Sequence, residues 1–184
     1  MGLIMPAFIA MLRGINVSGR NIIKMEDLRR AAEALGPERV ETYLQSGNVL
    51  FRADGTAKAW GEKLERRLAA EFGLQVPVIA RTAGELGNVL TQNPFLTEKN
   101  IDLATLHVFF CSAIPAKAGL AGLDGLSLGQ DRFAAIGREV YLHCPYGYGK
   151  TKLSNAALEK KLSVTGTTRN WNTVTNLAEM AWGL

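Results

Sequence analysis

Residues 40–53 read Val-Glu-Thr-Tyr-Leu-Gln-Ser-Gly-Asn-Val-Leu-Phe-Arg-Ala. Two strand-like runs, 40–44 and 49–53, flank Gln45-Ser46-Gly47-Asn48, whose residues suit a tight turn. The stretch predicts a β-hairpin. On its N-terminal side, Leu28, Ala31, Ala32 and Leu35 recur at the spacing of one helical face, in a helix starting near Met25. Gly36-Pro37 stops that helix. An apolar run at 8–12 before it reads as a buried strand. On the C-terminal side, Thr56 can cap a helix that carries Trp60, Leu64, Leu68 and Phe72 every fourth residue and ends at Gly73. A strand follows at 76–80. The order is β-α-β-β-α-β.

The rest of the chain repeats this order. Residues 106–111 read as a strand and 115–123 as a short Ala- and Gly-rich helix. Residues 132–136 and 140–144 form a hairpin across Gly137-Arg138-Glu139, 153–162 a helix, and 164–169 a last strand. Val174, Leu177, Ala178 and Ala181 mark one face of a closing helix that ends at Gly183. Between the two sets, Thr82-Ala83-Gly84-Glu85 has the spacing of a capping box, and 93–102 reads as a linker. The expectation is an α+β protein of two ferredoxin-like halves with antiparallel sheets, helices on one face of each. Residues 1–81 make the first half, 82–104 a linker helix and loop, and 105–184 the second half with an extra C-terminal helix. The duplication rests on element order, with no residue-level repeat visible.

The chain has 184 residues, 47% of them hydrophobic and 21% charged, which is ordinary globular composition. The N-terminal run is apolar but short, broken by Pro6 and without a basic leader, so no signal peptide is expected. No apolar run approaches the length needed to span a bilayer, and the expectation is a soluble cytoplasmic protein. Cys111 and Cys144 are the two cysteines and form no Cys-x-x-Cys, which suits buried free thiols. The net charge of +4 is concentrated at the ends, +2 in residues 1–53 and +3 in residues 145–184. That excess favours anionic partners, although solubility alone would account for it.

Three glycine- and amide-rich loops carry basic residues. Gly147-Tyr148-Gly149-Lys150-Thr151-Lys152 precedes a helix, as a phosphate-binding turn would. It is not a Walker loop, because Cys144 stands where the first glycine belongs. The same residues equally suit a turn, with Thr151 or Ser154 capping the helix. Thr168-Arg169-Asn170-Trp171-Asn172-Thr173 precedes the last helix. Arg169 suits a carboxylate or phosphate there, while Asn172 or Thr173 suits a cap and Trp171 the core. Arg13-Gly14-Ile15-Asn16-Val17-Ser18-Gly19 leaves the first strand. Aromatics on central strands, Tyr141 with His143 and Phe109 with His107, raise base stacking as a second option. A metal site from His107, Cys111, His143 and Cys144 meets no zinc spacing, and no Gly-x-Ser-x-Gly elbow accompanies the histidines.

Together, Leu12-Arg13-Gly14-Ile15-Asn16-Val17, Tyr43-Leu44-Gln45-Ser46-Gly47-Asn48-Val49, Gly147-Tyr148-Gly149-Lys150, Lys152-Leu153-Ser154-Asn155 and Thr168-Arg169-Asn170-Trp171-Asn172-Thr173 resemble a bacterial family. It is catalogued as domain of unknown function 1697, and the likeness runs from about Ala7 to Gly183. The resemblance implies an α+β fold with two related ferredoxin-like halves. It implies no activity, so no residue inherits a catalytic role.

The reading that follows is binding of a small anionic ligand, phosphate- or carboxylate-bearing, with nucleotides among the candidates. Arg13, Lys150, Lys152 and Arg169 would neutralise charge, and Asn16, Ser154 and Asn172 would hydrogen-bond. The alternatives are a nucleic-acid-binding module and a phosphoryl- or acyl-transfer enzyme on the same loops. No catalytic residue, cofactor or metal is assigned, no membrane partner is expected, and the oligomeric state is open.

Overall fold

The apolar run near the N-terminus forms β1 (Ala7–Leu12), buried along its whole length. After α1 (Met25–Glu33), the predicted hairpin forms from β2 (Glu38–Tyr43) and β3 (Asn48–Arg52), with Thr42 opposite Val49 and Tyr43 opposite Asn48. Then come α2 (Ala57–Phe72) and β4 (Val78–Thr82). The strand starts two residues later than the periodicity suggested, because Pro77 has no N–H to donate to a ladder. The computed structural model describes residues 5–184. The residues before Met5, part of the apolar run read above, lie outside that range.

The sheet order β2-β3-β1-β4 is antiparallel throughout. One face carries the helices. Phe8, Ala10 and Leu12 pack there with Leu28, Ala31 and Ala32 of α1 and with Trp60, Leu64 and Leu68 of α2. The alternate residues Ile9 and Met11 are buried as well. Helix α2 begins where expected, the Thr56 side chain accepting a hydrogen bond from Ala59 N–H, and it ends at left-handed Gly73.

The second set is β5 (Leu106–Cys111), α4 (Lys117–Asp124), β6 (Arg132–Ile136), β7 (Glu139–His143), α5 (Asn155–Leu162) and β8 (Gly166–Asn170), in sheet order β6-β7-β5-β8. Counted within each half, both sheets run fourth, first, third, second strand, which is the ferredoxin-like order. Phe109, Cys111, Val140 and Leu142 pack against Leu123 of α4 and Leu158 and Leu162 of α5.

A further helix follows each half, as the capping-box spacing at 82–85 and the closing apolar face predict. Thr82 and Glu85 form a reciprocal capping box on α3 (Ala83–Gln92), Thr82 N–H donating to Glu85 at 2.8 Å and Glu85 N–H to Thr82 at 3.1 Å. After β8, Asn170 accepts from Thr173 N–H at 2.8 Å and opens α6 (Trp171–Gly183). The cap is therefore Asn170 rather than Asn172 or Thr173. By contacts, residues up to Gly87 form one unit with Asn176–Leu184, and Asn88–Thr175 form the other. The expected linker at 82–104 accordingly holds α3 and two 3-10 turns, Pro94–Thr97 and Leu103–Thr105.

Candidate functional site

Strand β7 delivers the chain to Cys144, whose buried thiol is pushed up to about 11 by desolvation. Gly147 N–H then bonds the Cys144 carbonyl at 2.9 Å, closing a turn. Gly147 lies at φ 92° and ψ 146°, a conformation open essentially to glycine alone. A single 3-10 turn, Tyr148–Lys150, leads through Thr151 to Ser154, which caps α5 by accepting from Ala157 N–H. This loop is tied to the one entering β6. Thr151 Oγ1 donates to Asp131 Oδ2 at 2.5 Å, and Lys152 Nζ donates to the Ser127 carbonyl at 2.7 Å.

Between the two loops lies a groove of about 400 Å3, lined by residues 127–131 with Tyr146, Lys150 and Lys152. The Lys150 ammonium makes no hydrogen bond or ion pair among the described residues. Lys152 uses one of its three donors on Ser127. Tyr146 is 63% exposed. The arrangement can place two ammonium groups, one carboxylate and one aromatic ring around a small molecule.

The seven residues singled out from the sequence take different places. Lys150 and Lys152 line the groove, and Ser154 starts the helix behind it. Asn172 is exposed on the first turn of α6. Arg169 is buried within β8, where its guanidinium donates to Thr167 Oγ1 at 2.8 Å and to the Thr168 carbonyl at 2.9 Å. Desolvation pulls it down to about 10, so it remains a cation at neutral pH. Arg13 and Asn16 belong to the other unit. Arg13 is half-buried, its backbone N–H on the Pro77 carbonyl. Asn16 adopts φ 51° and uses its amide within the fold, on Ile23 O and Gln45 O at 3.0 Å each and on Ile23 N–H at 2.9 Å.

Within each unit the quoted motifs support one another. The 12–17 and 43–49 motifs meet through Asn16 on Gln45 and through Leu12 N–H on the Gly47 carbonyl at 2.9 Å. The three motifs of the second unit meet in a hydroxyl chain. Tyr148 Oη lies 3.0 Å from Thr168 Oγ1, which donates to Asn155 Oδ1 at 2.6 Å. His107 stacks on Tyr148 at 4.9 Å between ring centroids. Burial lowers the His107 pKa. His143 is also lowered, by desolvation and then by Arg132, and Arg132 holds Glu98 through two bonds of 2.7 and 2.8 Å.

Tyr141 and Phe109 are wholly buried, so neither ring offers a face to a base. Among the described residues no group of three or more His, Cys, Asp or Glu is placed to hold a metal ion. No helix there is long and apolar enough to cross a membrane.

Sequence reasoning missed Tyr146, Asp131 and the 127–130 segment. The signal was a turn-rich run ending Leu128-Gly129-Gln130-Asp131, read only as the gap before a strand. It also missed a repeat. Arg81 and Arg169 each occupy the fourth position of a last strand, opposite Ile9 and Val108, the third residues of β1 and β5. Both are buried and each is followed by a helix cap.

The chain belongs to the family described as protein of unknown function (DUF1697), which matches residues 5–141. The motifs at 147–150, 152–155 and 168–173 lie beyond the matched residues. A search of curated proteins returns no match. Among solved structures, the chain is similar to the conserved bacterial protein SP0830 from Streptococcus pneumoniae, with TM-score 0.78 and 24% identity over 96% of this chain and 99% of that one. That likeness is one of fold.

Proposed function

We propose that the protein binds a small phosphate- or carboxylate-bearing molecule in the groove between residues 127–131 and 146–152. The observation that carries this reading is the Lys150 ammonium, without a partner among the described residues, beside Lys152 in a groove of about 400 Å3. That volume is within the usual range for small-molecule sites. Two lysines in one lining favour an anion, and the bond from Lys152 to Ser127 holds one ammonium group in position. The site is narrower than a convergence of all three basic loops. Arg169 is buried and hydrogen-bonded, and Asn16 spends its amide on Ile23 and on Gln45 of the β2–β3 turn. A nucleic-acid reading loses support from the burial of Tyr141 and Phe109. Cytoplasmic residence belongs to the same proposal, supported by two buried cysteines that are not joined in a disulfide.

Titration calorimetry of the full chain with inorganic phosphate, ribose 5-phosphate and citrate tests the site. Saturable binding that Lys150→Ala weakens about tenfold or more, with unchanged circular dichroism, is expected. Absence of binding to all three at millimolar concentration would sink the reading. Tight binding of an oligonucleotide, falling steeply with salt, would favour the nucleic-acid alternative instead.

A further inference from the structure

We infer that the ligand of this groove is a nucleoside monophosphate, its base stacked on Tyr146 and its phosphate held by Lys150 and Lys152. The inference rests on the reading of the groove as an anion site and goes beyond it in naming the ligand's other half.

Three observations lead there. The first is Tyr146 itself. It is 63% exposed while lining a groove, and it makes no hydrogen bond or ring contact among the described residues. Tyr148, two residues on, stacks on His107 and bonds Thr168. Of the two tyrosines of this loop, one serves the fold and the other presents an open ring. A ring so placed offers a sequence-tolerant stacking surface to a planar heterocycle.

The second is charge. Lys150 and Lys152 bring two positive charges to the lining, and Asp131 brings one negative. A phosphate monoester carries about −1.5 to −2 at neutral pH, which two ammonium groups match. Further phosphates would add negative charge to a lining that already holds the Asp131 carboxylate. The balance selects a monophosphate over a di- or triphosphate.

The third is the polar lining left over. Asp131 accepts from Thr151 through one oxygen, so its other oxygen can accept from a ribose hydroxyl or an exocyclic amine. Gln130 adds an amide able to donate and accept. Neither group is needed to hold an inorganic anion. Both suit the sugar and base edge of a nucleotide.

The test is calorimetric titration of the full chain with AMP, UMP, ATP, ribose 5-phosphate and adenosine, repeated on Tyr146→Ala, Tyr146→Phe and Lys150→Ala. All three variants alter exposed positions, and circular dichroism checks their folding. Stacking of the base on an aromatic ring should make AMP or UMP bind about fivefold or more tightly than ribose 5-phosphate. Tyr146→Ala should abolish that advantage without changing ribose 5-phosphate binding, Tyr146→Phe should keep it, and Lys150→Ala should weaken both ligands. Equal affinity for AMP, UMP and ribose 5-phosphate, indifferent to Tyr146→Ala, overturns the nucleotide inference and leaves the anion site standing. ATP binding more tightly than AMP overturns the monophosphate assignment. Adenosine matching AMP overturns the anion site itself, as does failure of every phosphate to bind.

Discussion

At Gly147 the backbone sits at φ 92° and ψ 146°, and any side chain there strains the chain by about 1–3 kcal/mol. Gly149, two residues later, has open space where a Cβ would stand and no positive φ. Only the first glycine is required by the turn. We expect Gly147→Ala to lower stability by about 1–3 kcal/mol in urea denaturation, and Gly149→Ala to change it by less than about 0.5 kcal/mol. Equal losses at both would show that the turn is held differently. Arg169 teaches a related lesson. A basic residue in a polar, turn-rich motif reads as a ligand contact, but the period of two along β8 places it opposite Val108 in a buried row, and its Nη1 donates to Thr167 Oγ1 and the Thr168 carbonyl.

At the scale of elements, two contacts hold the second half together. Strand β8 approaches β5 at Gly166, where an added Cβ would lie 2.6 Å from the Phe110 carbonyl and 2.3 Å from the Phe109 ring. Neither backbone nor a wholly buried ring can yield easily. Gly166→Ala should therefore destabilise by about 1–3 kcal/mol, read as a lower denaturation midpoint. A neutral result would mean that the β5–β8 pair can part enough to admit a methyl group. Helix α5 is pinned by Leu158, wholly buried among the sheet residues. Its truncation to alanine should remove about 2–5 kcal/mol. At the start of α6, Asn170→Ala removes the acceptor of Thr173 N–H and should lower stability by about 1 kcal/mol. Asn172→Ala should leave stability unchanged. A loss at Asn172 and none at Asn170 would restore the cap to the position the sequence suggested.

For the whole molecule, acid sensitivity follows from the two histidines. Burial lowers the His107 pKa, and burial with the neighbouring Arg132 lowers that of His143. Glu98 and Asp131 act in the opposite sense on His143 without reversing it. The native state thus holds fewer protons than the unfolded chain just below the ordinary imidazole value of about 6.5. The associated stability is fully present above that value and declines as pH falls from it toward the depressed native values. A separate decline, from Glu98 held low by Arg132, belongs to the carboxylate range further down. Denaturation midpoints between pH 8 and 5 should fall on acidification in the wild type, and less so in His107→Phe. A flat profile in the wild type would remove the histidine contribution.

What the sequence determined was the order of elements, and through it the fold. Its signals were local: the turn at Gln45–Asn48, the Thr56 cap, the four-residue spacing of Trp60, Leu64 and Leu68, and the Thr82–Glu85 box. Each acts over a few residues, so each survives without knowledge of the rest, and all appear in the structure. The two lysines of the groove were also legible, because a basic, glycine-rich loop before a helix is visible locally. Tertiary structure alone decided what those lysines meet. Asp131 lies 20 residues from Thr151 and Ser127 lies 25 from Lys152, and pairing of β6 with β7 and the seating of α5 bring them together. The twin arginines Arg81 and Arg169 emerged for the same reason. Their equivalence is one of strand register, set by which residue of β1 or β5 stands opposite. No local pattern encodes that, because register follows from closing the whole sheet around its core.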